Sequence, residues 1–495
     1  MQKNKLLFAS VFVCGAVVMV FELAGSRVMA PYYGGSIYIW TGIIGVIMGS
    51  LSLGYWLGGK LADKHASLEI FSHIIFLSAL AVFLTLILKD GAPALFRSMH
   101  LSFEIGSLLA AIILFAPASV LLGLISPYAV RLKLNGLESS GSTVGNLYAA
   151  STVGSIVGTF AAGYFLIPFL GTANILFALV LVLGLLSFVF TKKYLSAKLA
   201  ILLVLAGSYL LLSFTANHAD QAAKITRIET EYNSIKVFPG IDKASGKAIL
   251  SMVFDPLAKQ SSMFADSDDL VWDYSKYYRL AGHFHPGLER ALMIGGGAYS
   301  YPKDFLKQFS RATIDVVEID PGVTKAAKTF FRLVDDSRLN IFTEDARSFL
   351  NDSDRRYDVI CDDAFNSSLS VPFQLATVQA VRRQYDMLNE NGVVIANIAG
   401  AINGDNGRFL RGEYATFKSV FPQVYVFPVV NPANPDLLQN IMIVALKSKT
   451  PASFTDADAA LNGYLEHRWN GPISNDIPVL TDDFAPVEYY MKKVI

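Results

Sequence analysis

Ala291-Leu292-Met293-Ile294-Gly295-Gly296-Gly297 drives a short apolar strand straight into three glycines. Glycine has no Cβ, so such a run can turn sharply and bring its backbone close to a ligand at the start of a helix. Outward from it the pattern repeats. Thr313 to Glu318, Asn340 to Phe342, Asp358 to Cys361 and Val393 to Ile398 are short apolar strands separated by helical stretches. This alternation predicts an α/β doubly wound, Rossmann-like parallel sheet with helices on both faces, and ligands in such sheets lie beyond the carboxyl ends of the strands.

Those ends carry acids in order. The second strand closes on Glu318-Ile319-Asp320, 23 residues after Gly295, a spacing at which a carboxylate accepts both hydroxyls of a ribose. The third ends at Glu344-Asp345-Ala346, beside the place of an adenine amino group, and the fourth at Asp362-Asp363, facing the reactive end of the same ligand. Neighbouring strand residues point to opposite faces, so only one of that last pair should meet the ligand. A dinucleotide site is the competitor, but Ala298, Tyr299 and Ser300 follow the glycines where G-x-G-x-x-G would continue, and two of the acids would be surplus. S-adenosylmethionine or its decarboxylated form fits the series better.

Upstream, Ile225 to Glu229, Ser234 to Val237 and Ala248 to Phe254 are β-rich segments broken by Pro239-Gly240 and Gly246, a small antiparallel unit. His283 and His285 lack Cys or His partners and read as structural. No metal site is expected, and Cys14 and Cys361 are too few for a disulfide framework or a four-ligand zinc site. Ser367 to Pro372, after the fourth strand, reads equally as a lid or a plain loop.

The first 215 residues are of another kind. They hold 12 Lys and Arg and 6 Asp and Glu, against 29 and 35 in the rest, so a net charge of zero joins a basic, nearly charge-free half to a mildly acidic one. A chain 53% hydrophobic and 17% charged is no disordered segment, and no nucleic-acid partner is expected. Seven apolar runs, about Leu6 to Met29, Ile37 to Gly59, Leu68 to Leu88, Ile105 to Val130, Val144 to Leu170, Thr172 to Thr191 and Lys198 to Phe214, approach the ~20 residues that cross a bilayer. The expectation is a multi-pass integral protein of the cell (inner) membrane, with the lipid bilayer as its partner. Its domains are 1–215 in the membrane, 216–286 as linker (216–223) and small β unit, and 287–495 as the nucleoside-binding domain.

Gly45/Gly49, Gly54/Gly58 and Gly154/Gly158 place small residues one turn apart, suited to close helix packing or a dimer face. Glu22 and Arg27 form an ion pair, an interfacial anchor or a transport site. Lys and Arg crowd the loops after the second, fourth and sixth spans, which sets the N-terminus in the cytoplasm; seven spans would then leave the second half outside, away from a cytosolic metabolite. Sidedness stays open, as does a homodimer.

From about Ile225 to the end the chain resembles the spermidine synthase (aminopropyltransferase) family, within the S-adenosylmethionine methyltransferase folds. Glu231-Tyr232-Asn233-Ser234-Ile235 is similar to the opening strand motif, with Asn233 where glutamine is usual. Gln260 resembles the glutamine after the next hairpin, and Tyr277 the tyrosine before the sheet. Ile294 to Gly297, Val317 to Pro321, Glu344 to Leu350 and Tyr357 to Asp363 follow the glycine, ribose, adenine and catalytic motifs in order. Leu480 to Glu488 looks like the ending of membrane-fused members. The resemblance implies a nucleoside substrate with no tightly bound cofactor, held by Gly295, Gly296, Gly297, Glu318, Asp345, Ala346, Gln260, Asn233 and Tyr277. Asp363 would be the catalytic base, and a polyamine a potential partner.

Three departures bear on the chemistry. Soluble members carry Asp after the glycines, where this chain has Ala298; a second Asp three residues after the catalytic one is Asn366; and a His-Glu or Gln-Glu pair is Tyr278-Arg279. Acceptor character is lost around a pocket for cationic amines, while Arg279, unless it is only an exposed helix residue, would suit the carboxylate of intact S-adenosylmethionine. The favoured expectation is therefore a lyase that closes the substrate's own carboxylate on Cγ, giving 5′-methylthioadenosine and homoserine lactone. Aminopropyl transfer from decarboxylated S-adenosylmethionine to putrescine is the alternative; methyl transfer, and a transporter or sensor that only binds the nucleoside, are further ones.

Overall fold

The computed structural model describes residues 2–99, 101–134, 140–254, 261–364 and 371–491. Contacts divide the chain into two units, Met1–Ala223 with Glu229–Glu231, and Lys224–Ile228 with Tyr232–Ile495.

The first unit is helical: α1 (Gln2–Tyr33), α2 (Ile37–Lys64), α3 (Leu68–Leu88), α4 (Gly91–Ser98), α5 (Phe103–Lys133), α6 (Ser140–Ala161, continued by a π-turn over Ala162–Leu166), α7 (Ile167–Leu170), α8 (Thr172–Phe188) and α9 (Leu195–Ala222). Among the described residues, six stretches are long and apolar enough to cross a membrane: Asn4–Tyr33, Ile37–Lys64, Leu68–Leu88, Phe103–Lys133, Ser140–Leu170 and Leu195–Ala222. The sixth expected span, Thr172 to Thr191, shortens to α8, of 17 residues. Gly171, at φ +71°, starts it, and it ends before the polar Thr191-Lys192-Lys193. At 1.5 Å per residue it spans about 26 Å, just short of a ~30 Å hydrocarbon core. The expected linker 216–223 is not a loop either. Ala216, Ala219, Gln221 and Ala222 favour helix and no Gly or Pro interrupts them, so α9 runs through to Ala222.

Two of the three glycine pairs sit at close crossings. A Cβ on Gly54 would lie 2.3 Å from the Val120 carbonyl oxygen of α5, and one on Gly154 1.9 Å from the Phe12 carbonyl oxygen of α1. Around Gly45 and Gly49 there is open space. Gly154→Val is thus expected to destabilise the helical unit by about 1–3 kcal/mol through overpacking, while Gly45→Val leaves it unchanged; thermal unfolding of the detergent-solubilised chain measures both.

The second unit begins with a four-stranded sheet, β1 (Thr226–Glu229), β2 (Ser234–Ile241), β3 (Ala248–Val253) and β4 (Ser261–Phe264), in which β2–β3 and β3–β4 are antiparallel. Next come β5 (Arg290–Ile294), β6 (Thr313–Val317), β7 (Leu339–Phe342), β8 (Tyr357–Asp362), β9 (Leu388–Gly400), β10 (Gln423–Pro428) and β11 (Gln439–Leu446). Their order is β10-β11-β9-β8-β5-β6-β7. The five central and edge strands from β9 to β7 are parallel, as expected, and β10 and β11 add an antiparallel pair. Because β6 and β7 extend the sheet to one side of β5 while β8 and β9 extend it to the other, the order reverses between β5 and β8, where such sheets open a crevice. Residues alternate between two buried cores: Leu292, Ile294, Ile360 and Val394 on one face, Ala291, Met293, Val359 and Val393 on the other.

Candidate active site

The crevice is built around the glycine turn. Gly295 (φ +90°) and Gly297 (φ +52°) adopt left-handed backbone, and a Cβ on Gly295 would stand 2.5 Å from the carbonyl oxygen of Asp363. The Asp363 N–H in turn donates to the Ile294 carbonyl. The turn after β5 and the end of β8 therefore touch through their backbones, a contact that only a residue without a side chain permits.

Glu318, just past β6, is buried and gathers the backbone around this turn. One carboxylate oxygen accepts from Gly296 (2.9 Å) and Gly297 (3.4 Å), the other from Asp320 (3.0 Å). Burial pushes its pKa up, and the N–H donors oppose that shift. Asp320 caps the helix Pro321–Phe330 by accepting from Gly322, and it also accepts from the Asn233 side chain at 3.0 Å, which ties the start of β2 to the sheet. Asp345 caps the helix Ala346–Asp352 by accepting from Ser348 at 3.0 Å, with Ala346 opening that helix.

At the end of β8 the paired acids part to opposite faces. Asp362 accepts from Gln384 Nε2 at 2.6 Å; Asp363 accepts from Asn397 Nδ2 at 2.9 Å, and the nearby Tyr274 hydroxyl lowers its pKa. Burial pushes each carboxyl up to about 6, and the donors work against it. Asp363 is thus a carboxylate with a pKa near neutrality, suited to taking a proton from a bound amine.

The other candidates lie as follows. The Tyr277 ring is buried against Tyr464, and its hydroxyl meets Nδ1 of His467 at 2.7 Å. Arg279 makes a two-bond pair with buried Asp304, at 2.9 and 2.7 Å. Ala298 is fully buried. Gln260, Asn366 and most of the 367–372 stretch fall outside the described residues. His283 pairs with Asp456 at 2.6 Å, and His285 lies 3.8 Å from Asp358. Among the described residues no group of three or more His, Cys, Asp or Glu could hold a metal ion.

Sequence reading missed Tyr274, Asn397, Gln384 and Glu413. Asn397 left a trace as the one polar residue inside the apolar run Val393 to Ile398. Glu413 is buried with one carboxyl oxygen unpartnered, and burial followed by the nearby Asp362 charge pushes its pKa up.

Residues 275–456 match the family model for the spermine/spermidine synthase domain. That span lies within the second unit. A polyamine aminopropyltransferase from Vibrio vulnificus is 32% identical over 162 residues, covering 32% of this chain and 52% of the relative. A probable polyamine aminopropyl transferase from Bifidobacterium longum is 28% identical over 218 residues, covering 40% and 48%. The chain thus spans about half the length of these two curated relatives. Among solved structures, a probable spermidine synthase from Corynebacterium glutamicum aligns with TM-score 0.40 and 19% identity over 48% of this chain and 85% of that one. Spermidine synthase from Thermotoga maritima aligns with TM-score 0.36 and 18% identity over 55% and 86%. Within the matched span lie the glycine turn, Glu318, Asp345 and Asp363, whereas the helical unit lies outside it.

Proposed function

We propose that the synthase domain cleaves the Cγ–sulfur bond of a sulfonium nucleoside and passes the released aminopropyl group to a primary amine. The glycine turn, Glu318 and Asp345 would hold the nucleoside, with no tightly bound cofactor. Once the acceptor ammonium has given its proton to Asp363, its nitrogen lone pair attacks Cγ; the N–C bond forms as the C–S bond breaks, and that electron pair returns to sulfur. Neutral 5′-methylthioadenosine leaves, and the proton passes from Asp363 to solvent.

The observation that carries this reading is Asp363 itself. Its carboxyl is buried at the rim of β8, against the glycine turn, with a pKa near 6 and held by Asn397. Arg279, the residue that would have favoured the carboxylate of intact S-adenosylmethionine, already forms a two-bond pair with Asp304, so the lactone-forming lyase loses that support. It stays as a second reading because buried Ala298 supplies no acceptor for the aminopropyl ammonium. Intramolecular closure needs little more than a folded methionine tail, since aligned reactions of this kind reach effective molarities of about 10⁵ M or more.

Product analysis separates the two readings. The purified full chain is incubated with decarboxylated S-adenosylmethionine with and without putrescine, and with S-adenosylmethionine alone. Methylthioadenosine and spermidine that appear only in the first mixture are expected. Methylthioadenosine from S-adenosylmethionine alone makes the protein a lyase, S-adenosylhomocysteine a methyltransferase, and no product in any mixture sinks catalysis at this site. We place the chain in the membrane through its six apolar spans. With the N-terminus in the cytoplasm, six crossings return the synthase domain to the cytosol, where such substrates are made, but leave Lys192 and Lys193 outside, whereas a seventh crossing through α8 keeps those lysines inside and puts the domain outside.

A further inference from the structure

The hydrogen bonds around Asp363 continue beyond it. Asn397 on β9 donates its amide N–H to Asp363 at 2.9 Å, and its own amide oxygen accepts from Asn440 Nδ2 on β11 at 3.0 Å. Turning the Asn397 amide over would set its oxygen against the Asp363 carboxylate and its NH2 against that of Asn440, two repulsive contacts in place of two bonds. Asn440 therefore fixes which end of Asn397 faces the acid. Asn397 is buried, so neither bond is readily exchanged for water. Tyr274, on the helix Asp273–Lys276, is close enough for its hydroxyl to lower the pKa of the same carboxyl.

We infer that Asn397, oriented by Asn440, and Tyr274 are positioning residues that hold Asp363 as a carboxylate and aim its remaining lone pairs at the acceptor. The inference rests on the transfer reading above. Two neutral donors offset the burial of Asp363 without neutralising it, as a lysine or arginine would, so its basicity survives. The other ionisable groups facing it are Tyr278 and Cys361, which burial keeps neutral while Asp363 titrates, and Asp362, whose charge favours the protonated form of Asp363. The two donors are thus what keep the carboxylate available. Tyr277, whose hydroxyl is engaged with His467, leaves this role to Tyr274.

The test is the pH dependence of methylthioadenosine release by the full chain carrying Asn397→Leu, Asn440→Leu or Tyr274→Phe. A base works deprotonated, so removing a donor that lowers its pKa moves the acid limb of the profile to higher pH. For Asn397→Leu the rate at about pH 6 should fall ~5-fold more than at about pH 8, the equivalent of one pKa unit above a native value near 6. Asn440→Leu and Tyr274→Phe should shift the limb the same way, by less. An equal loss at every pH, or an unmoved limb, overturns the inference. A second readout needs no turnover: the infrared band of the protonated Asp363 carboxyl, assigned by its absence in Asp363→Asn. If it titrates at higher pH in Asn397→Leu the positioning role stands even where no amine is alkylated, and if its titration is unmoved the role is overturned even in an active enzyme.

Discussion

Asp363→Asn is expected to lower methylthioadenosine production with an amine acceptor by about 10²–10⁴-fold, the range over which a positioned general base acts, while leaving the affinity for 5′-methylthioadenosine nearly unchanged. The substitution conserves volume and keeps an oxygen for the Asn397 N–H, so the end of β8 and its contact with the glycine turn should persist. What disappears is the proton acceptor. In the native enzyme the rate should fall as pH drops through about 6, because burial has pushed the Asp363 carboxyl up to that value and only its ionised form can take a proton. In the variant that limb should vanish. Steady-state product release and calorimetric titration of methylthioadenosine supply the two numbers. The same variant bears on the lyase reading: a carboxylate nucleophile has no proton to lose, so lactone formation should survive with a far smaller loss.

How far the sequence predicts this site depends on whether a feature is local. The turn at Gly295 to Gly297 is announced by the apolar run before it, and the parting of Asp362 and Asp363 to opposite faces follows from strand alternation alone. The acids at the ends of β6 and β7 were legible for the same reason: each closes an apolar segment. What each side chain binds was not legible. Tyr277 meets a histidine 190 residues later, Arg279 an aspartate 25 residues on, and Asp363 an asparagine 34 residues on whose amide is fixed by a strand further still. These pairings depend on which strands lie side by side, and the apolar runs of β10 and β11, Val424 to Val430 and Ile441 to Leu446, say nothing of the neighbours they pair with. The membrane half failed at its ends for a different reason. Hydropathy measures apolar length and set the start of α8 at Thr172, whereas the polar stretch from Thr191 and the helix-forming residues past Phe214 decided where α8 and α9 stop.

Glu318→Gln should weaken 5′-methylthioadenosine binding by about 10²–10³-fold, because a ribose donating two hydroxyls to a buried carboxylate forms charge-assisted bonds of about 1.5–3 kcal/mol each. The structure gives a reason to expect more than the loss of charge. Both Glu318 oxygens already serve backbone donors, one the Gly296 and Gly297 N–H groups and the other that of Asp320. A glutamine has one oxygen and an NH2 in their place, so whichever way it turns, an N–H donor on one side faces another donor. Either the glycine turn or the Asp320 corner must loosen, and each borders the proposed nucleoside crevice. The variant should therefore also melt earlier than the native chain even without ligand. Affinity should depend on pH in the native protein but not in the variant: burial raises the Glu318 pKa, so acidification protonates it and removes acceptor strength, whereas glutamine does not titrate. Asp345→Asn provides the contrast, since its main visible bond is a helix cap that asparagine makes as well; it should cost adenine contacts only, and leave melting nearly where it was. Equal affinity in Glu318→Gln and native protein would mean that the ribose does not sit on this carboxylate, and the nucleoside would have to be sought elsewhere on the rim of the sheet.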